Sequence, residues 1–237
     1  NFTLPIQAMT GPDRTVCTSS PNVALNGTIV SASGGTWSAV SGTFLPNSSS
    51  LNVTYVPSGA AISTGSVNII LGTTGNAGCQ PDEDTVVVFF QNPPLVNAGP
   101  NQTVCANNAV SGHTATISGF TASPAWTSIG GGTLSSPGSL ATNFSLSPAQ
   151  ISSGTASIIV TTTNNGVCPA ARDTALVIVT PAPVVNAGPN QLICSNSSAA
   201  LSGSVSPAPF SGTWSTVGDG TFANPAVLNT NYTPGPA

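Results

Sequence analysis

Five cysteines carry the clearest chemistry in this sequence, because their spacing repeats. Cys17 and Cys79 lie 62 residues apart, and Cys105 and Cys168 lie 63 apart. A pair recurring once per repeat points to disulfide formation, and it predicts bonds Cys17–Cys79 and Cys105–Cys168. The fifth, Cys194, would find its partner at about position 256, past Ala237. Closing a loop of that length is worth roughly 4 kcal/mol in the chain-entropy picture, and it places the chain in an oxidising compartment. A structural zinc site would need four clustered ligands. With a single histidine in the chain, neither a metal nor any other cofactor is expected.

The acid–base inventory is equally thin. His113 is the only histidine and has no counterpart in the other repeats, so it reads as a polar loop residue. Asp82-Glu83-Asp84 has the oxygen chemistry of a calcium site, but only its third acid recurs, as Asp173, and a solvated hairpin tip is the simpler reading. That recurring acid opens Asp84-Thr85-Val86 and Asp173-Thr174-Ala175, where an Asp ends a turn and a Thr starts a β-run. Asn26, Asn47, Asn52 and Asn143 open four of eight Asn-x-Ser/Thr sequons, a number that an Asn-, Ser- and Thr-rich chain reaches by chance. No set of residues supplies a nucleophile with its base, so the chain does not read as an enzyme.

These residues sit in a tandem repeat. Cys17, Cys105 and Cys194 are spaced by 88 and 89 residues, and Trp37, Trp126 and Trp214 by 89 and 88. Tyr55, Phe144 and Tyr232 each follow their tryptophan by 18. Val96 to Gln102 (Val-Asn-Ala-Gly-Pro-Asn-Gln) returns as Val185 to Gln191, and Gly42-Thr43-Phe44 is matched by Gly132-Thr133-Leu134 and Gly220-Thr221-Phe222. The repeats run 5–92, 93–181 and 182–237, the last incomplete, with 1–4 as the tail of a preceding repeat. The chain thus reads as a window on a longer polypeptide. Pro93-Pro94 and Pro181-Ala182-Pro183 mark stiff joints. Short β-branched and aromatic runs, at 14–17, 22–30, 35–40, 51–56, 66–74 and 84–91 in the first repeat, are separated by Gly, Pro, Asn and Ser. No 3.6-residue apolar period competes with them. The expected fold is all-β: tandem immunoglobulin-like β-sandwich domains in an elongated array, with the three tryptophans and their following aromatics as core anchors.

Charged residues make up only 3% of the chain, lysine is absent, and the net charge is -4. With Arg14 and Arg172 as its only cations, the chain has no basic footprint for nucleic acid or anionic lipid. The longest apolar bursts, such as Val86 to Phe90, fall far short of a membrane span.

The Val-Asn-Ala-Gly-Pro-Asn-Gln-Thr-Val-Cys opening at 96–105 resembles the start of polycystic-kidney-disease-type sandwich repeats. With the Gly-Thr-Trp, Gly-Thr-Phe and Asn-x-x-Tyr markers it is most similar to repeats of giant Bacteroidota surface adhesins of the SprB gliding-motility type. The Trp-Asp-Phe-Gly-Asp-Gly signature of typical polycystic-kidney-disease domains is absent. The resemblance implies type IX secretion, display at the cell surface and O-glycosylation at Asp-(Ser/Thr)-apolar sites, here Thr85 and Thr174. The leading expectation is a structural or adhesive stalk segment, extracellular, whose partners are neighbouring repeats, other copies in a filament, and surface glycans or substratum. The alternatives are a dedicated glycan- or protein-binding module and an accessory region of a secreted enzyme.

Overall fold

The computed structural model describes residues 5–194 and 196–236; the expected tail at 1–4 lies outside them. The first repeat contains β1 (Gln7–Met9), β2 (Arg14–Cys17), β3 (Val23–Asn26), β4 (Thr28–Val30), β5 (Gly34–Ala39), β6 (Thr43–Leu45), β7 (Asn52–Val56), α1 (Gly59–Thr64), β8 (Ser66–Thr74) and β9 (Glu83–Gln91). The second repeats this order as β10 (Leu95–Asn97), β11 (Gln102–Cys105), β12 (Val110–Thr114), β13 (Thr116–Ser118), β14 (Ser123–Ile129), β15 (Thr133–Leu134), β16 (Ala141–Ser145), α2 (Pro148–Ser153), β17 (Thr155–Thr163) and β18 (Arg172–Thr180). The third contributes β19 (Val184–Asn186), β20 (Ala199–Ser202), β21 (Ser204–Ser206), β22 (Thr221–Phe222) and β23 (Asn229–Thr233).

Each of the first two repeats stacks a four-stranded sheet on a three-stranded one. The orders are β2-β9-β8-β5 over β3-β7-β6, and β11-β18-β17-β14 over β12-β16-β15. The first strand of each large sheet runs parallel to the last, with Cys17 opposite Gln91 and Cys105 opposite Thr180. Period-two alternation decides which face is covered. In β8 it sends Val67, Ile69 and Leu71 inward, and in β9 Val86, Val88 and Phe90, against Val23, Leu25, Val53 and Tyr55 of the small sheet. The chain is therefore a series of immunoglobulin-like β-sandwich domains, as its strand pattern predicts. The three-residue strands β1 and β6 and the helices α1 and α2 were not anticipated. Both helices are held by local chemistry and not by an apolar period: a serine N-cap (Ser58, Ser147) and a left-handed glycine at the C-terminus (Gly65, Gly154).

Trp37 and Trp126 are buried between the sheets, at 1% and 3% exposure. Each backbone N–H of the three tryptophans reaches the loop before the seventh-strand position, to Ser48, Pro137 and Pro225, at 2.7–2.9 Å. The indole N–H groups bond carbonyls in the same loops, Leu51, Ser139 and Leu228. The Gly-Thr-Phe motif has its own cause. Gly42 sits at φ +93°, and a Cβ there would lie 2.6 Å from the Tyr55 hydroxyl.

The second aromatic position shows a compensating pair. Tyr55 donates its hydroxyl to the Ser41 carbonyl at 2.6 Å. Phe144 has no hydroxyl, and Gln150 of α2, where the first repeat has Ala61, donates its amide to the carbonyls of Ile129 (2.7 Å) and Gly131 (3.2 Å). Gln150 also accepts the Ser147 backbone N–H at 2.9 Å, closing a capping box. Gln150→Ala should therefore cost about 2 kcal/mol, the sum of a lost cap and a buried carbonyl left unpaired. Phe144→Tyr added to it should restore part of that loss. Denaturant midpoints of the two variants measure both effects.

The third repeat departs from the expected core. Trp214 and Tyr232 are only half-buried, although Trp214 keeps its hydrogen bonds. The physical reason is that Trp37 is covered chiefly by β8 and β9, and among the described residues no such pair of strands lies over Trp214.

Candidate functional site

Four of the six acids, Asp13, Asp82, Asp84 and Asp173, prove to be internal latches. Asp84 Oδ2 accepts the backbone N–H and the hydroxyl of Thr10, both at 2.8 Å, and Asp173 Oδ2 accepts the Ala98 N–H at 2.8 Å. Asp82 accepts the Ala8 N–H at 2.9 Å. In the reverse direction, Asp13 and Asn101 accept N–H groups of the last strands, from Val87 and Leu176, at 2.9 Å each. These bonds tie the opening Gly-Pro turn of a repeat to its closing strand. The Thr10 N–H, and then its hydroxyl, hold the Asp84 carboxyl below its ordinary value, so this contribution to stability is lost as pH falls through the carboxylate range. Asp82 and Asp84 are thus committed to backbone partners. Among the described residues no group of three or more His, Cys, Asp or Glu could hold a metal ion.

His113 is not a loop residue. It lies in β12, buried at 4% exposure, where the first repeat has Leu25. Its Nε2 is 2.9 Å from the Ser111 hydroxyl, its ring centroid is 6.1 Å from that of Trp126, and its Nδ1 has no partner. Desolvation holds the imidazole below its ordinary value of 6.5, favouring the neutral ring in the fold. The unfolded chain takes up a proton at and below that value, and stability falls as pH is lowered through it. His113→Leu should remove this slope and raise stability by about 1–2 kcal/mol by eliminating an unpaired buried nitrogen. Urea melts of both proteins at pH 5 and 8 are the check.

The concentration of specific contacts lies instead at the joint between the first two repeats. The structure bonds Cys17 to Cys168, with Cα atoms 5.0 Å apart and a sequence separation of 151. Both cysteines are buried. Gln91, the last residue of β9, donates its side-chain amide to the Asn165 carbonyl at 2.6 Å and accepts from the Val167 N–H at 3.4 Å. Its own carbonyl accepts the Thr18 N–H at 2.9 Å and lies 3.4 Å from Cys168 Sγ. Gly166, at φ +61°, leaves the space that the Gln91 side-chain amide occupies, and a Cβ there would displace that amide. Gly119 closes on the linker from the other side, its Cβ position 2.5 Å from the Pro93 carbonyl oxygen.

This pairing corrects the repeat-internal one. Cys79 and Cys105 are not bonded to Cys17 and Cys168; both are free, as is Cys194. Strand direction explains why. Cys105 lies opposite Thr180 at the far end of β18, whereas Cys168 sits in the turn before Arg172 at the near end. Eight residue steps of strand separate them, about 26 Å, against the 7 Å limit for bridging Cα atoms. Cys17 and Cys79 are kept apart in the same way by β9. A cysteine at the trailing end of one repeat therefore meets one at the leading end of the next. Sequence reasoning found the cysteines but missed Gln91, Asn165 and Gly166. Gln91 aligns with Thr180 and so carries no repeat signal.

Thr85 and Thr174 are exposed, on the outer face of the large sheets. Both strands that carry them are interior to their sheets, so a substituent there would not protect a sheet edge. No helix among the described residues is long and apolar enough to cross a membrane.

No protein-family model matches the chain, and no curated protein matches it. Solved structures do. A fragment of three titin immunoglobulin domains, in an E-to-A mutated variant, superposes with a TM-score of 0.51 and 10% identity, over 96% of this chain and 87% of that one. A second titin I-band fragment gives 0.49 at 10% identity, covering 99% and 90%. The EC22-24 fragment of mouse cadherin-23 gives 0.46 at 13% identity, covering 98% and 89%. At these identities the likeness concerns the fold alone.

Proposed function

We propose that this chain is a structural and adhesive stalk segment of a long, exported cell-surface protein, and that it has no enzymatic activity. The observation that carries this reading is the covalent joint between consecutive sandwiches. A device that fixes one repeat to the next serves an array whose task is to hold a shape, and it contributes nothing to catalysis or small-ligand binding. The sparsely charged, Ser-, Thr- and Asn-rich surface supports it, as does the commitment of Asp84 and Asp173 to internal latches. The partners are then the neighbouring repeats, other copies in a filament, and surface glycans or substratum touched weakly at many points. Export by the type IX route and a part in gliding motility follow from the adhesin resemblance. Deleting residues 93–181 from the native protein should shorten the surface filament by one repeat and leave cell attachment unchanged. Loss of attachment on that single deletion would identify a dedicated binding module and overturn the stalk.

The same reading places O-linked sugar on Thr85 and Thr174. A chain with 3% charge needs another source of solubility, and both hydroxyls face solvent. Glycopeptide mass spectrometry of native material should find both threonines carrying hexose; bare threonines would remove the idea.

A further inference from the structure

We infer that the Cys17–Cys168 bond is one rung of a staggered ladder, in which the first cysteine of every repeat bonds the second cysteine of the repeat after it. The two free thiols flanking the observed joint are built as its open halves. Cys105 stands opposite Thr180 as Cys17 stands opposite Gln91. The residue after each cysteine donates its N–H to that opposing carbonyl at the same 2.9 Å, Ala106 to Thr180 and Thr18 to Gln91. Three residues separate Gln91 from Leu95, and three separate Thr180 from Val184, so the linker into the third repeat is as long as the one that the first rung spans. The Cys79 turn copies the Cys168 turn. Cys79 and Cys168 donate their N–H to Asn76 and Asn165, whose side-chain amides bond Thr73 and Thr162. Ala77 holds φ +51° where Gly166 holds +61°. Asn76 Oδ1 and Asn165 Oδ1 are both buried and unpaired. Cys79 is exposed in this turn, presented as Cys168 is to Cys17.

Each rung forms by thiol–disulfide exchange with an oxidised dithiol oxidoreductase or glutathione disulfide. The two cysteine thiols give up two protons and two electrons, the S–S bond of the oxidant breaks, and its two sulfurs leave as thiols. Cys105 thus requires the third-repeat counterpart of Cys168, and Cys79 requires a Cys17-type residue ahead of it.

The test extends the full chain by its own sequence. Pro236-Ala237 align with Pro148-Ala149, so residues 150–181 are appended after Ala237 to complete the third sandwich, with Val167→Leu in the appended copy alone so that its cysteine peptide has a mass of its own. The protein is refolded in a glutathione redox buffer, blocked with N-ethylmaleimide and digested without reduction. The expected map shows Cys17 linked to Cys168 and Cys105 linked to the appended copy of Cys168, with Cys79 and Cys194 alkylated. Cys105 recovered alkylated, or linked to Cys168 or Cys79, overturns the ladder. The 237-residue chain carrying Cys17→Ser gives a readout that does not depend on the appended strand folding. Cys105 and Cys168 should both be alkylated in it despite the oxidising buffer; a Cys105–Cys168 link there also overturns the ladder.

Discussion

Replacing Cys17 and Cys168 together by serine should lower the melting temperature of the chain by about 10–20 °C, while replacing Cys79 and Cys105 should leave it unchanged. The asymmetry follows from where the bond lies. It joins residues 151 apart, and removing it returns to the unfolded chain the freedom of a loop of that size, about 5 kcal/mol at 25 °C. The effect persists when only the first repeat opens. A folded second repeat keeps Cys168 beside the linker, so Cys17 still closes a loop of about 75 residues, worth between about 4 and 5 kcal/mol. Differential scanning calorimetry of the two double variants, with and without reductant, measures the difference. Equal losses in both variants would restore the repeat-internal pairing.

Trp126→Ala should unfold the second repeat in part of the population at room temperature. The ring fills the space between β14 and the small sheet at 3% exposure, and its indole N–H satisfies the Ser139 carbonyl at 3.0 Å. Truncating a buried aromatic of this size costs about 3–5 kcal/mol, and the loss comes from a small domain whose whole stability is on the order of 5–15 kcal/mol. Trp214→Ala removes the same side chain from a half-buried position and should cost under about 2 kcal/mol. Guanidinium melts of the two variants followed by far-ultraviolet circular dichroism compare them directly. A Trp214→Ala loss as large as that of Trp126→Ala would contradict the exposure of the third repeat.

The sandwich architecture was legible because burial leaves a mark at every second residue. Val67, Ile69 and Leu71 in β8, and Asn52 to Tyr55 in β7, show the alternation plainly. The recurrence of Trp and Tyr at one spacing then located the core. Three-residue strands such as β1 and β6 are too short to show a period, and α1 and α2 owe their existence to Ser and Gly caps instead of an apolar face. His113 lies in Val-Ser-Gly-His-Thr, where no apolar pattern declares which face is covered. The cysteines were legible as first and second of a kind. Spacing alone does not say whether a first cysteine pairs within its repeat or one repeat on, since either pairing fits a regular period. The deciding information was the nine-residue run at 83–91, beginning four residues after Cys79. A strand of that length carries the chain from one end of the sandwich to the other and puts Cys17 and Cys79 at opposite poles.

The crossing bond also changes what happens when the two ends of the chain are pulled. Ordinary tandem domains yield one after another, and each 88-residue repeat lets out roughly 300 Å of slack at 3.3–3.6 Å per residue. Here load entering at residue 5 passes from Cys17 directly to Cys168 and leaves towards residue 181. Only the short segments before Cys17 and after Cys168, about 25 residues or roughly 90 Å in all, can lengthen. Everything between them is bypassed, even if both sandwiches have come apart. Reduced, the same 5–181 stretch would pay out roughly 600 Å. The joint thus behaves as a strain limiter: the 5–181 stretch can lengthen only by those two short segments, whether or not its domains keep their fold.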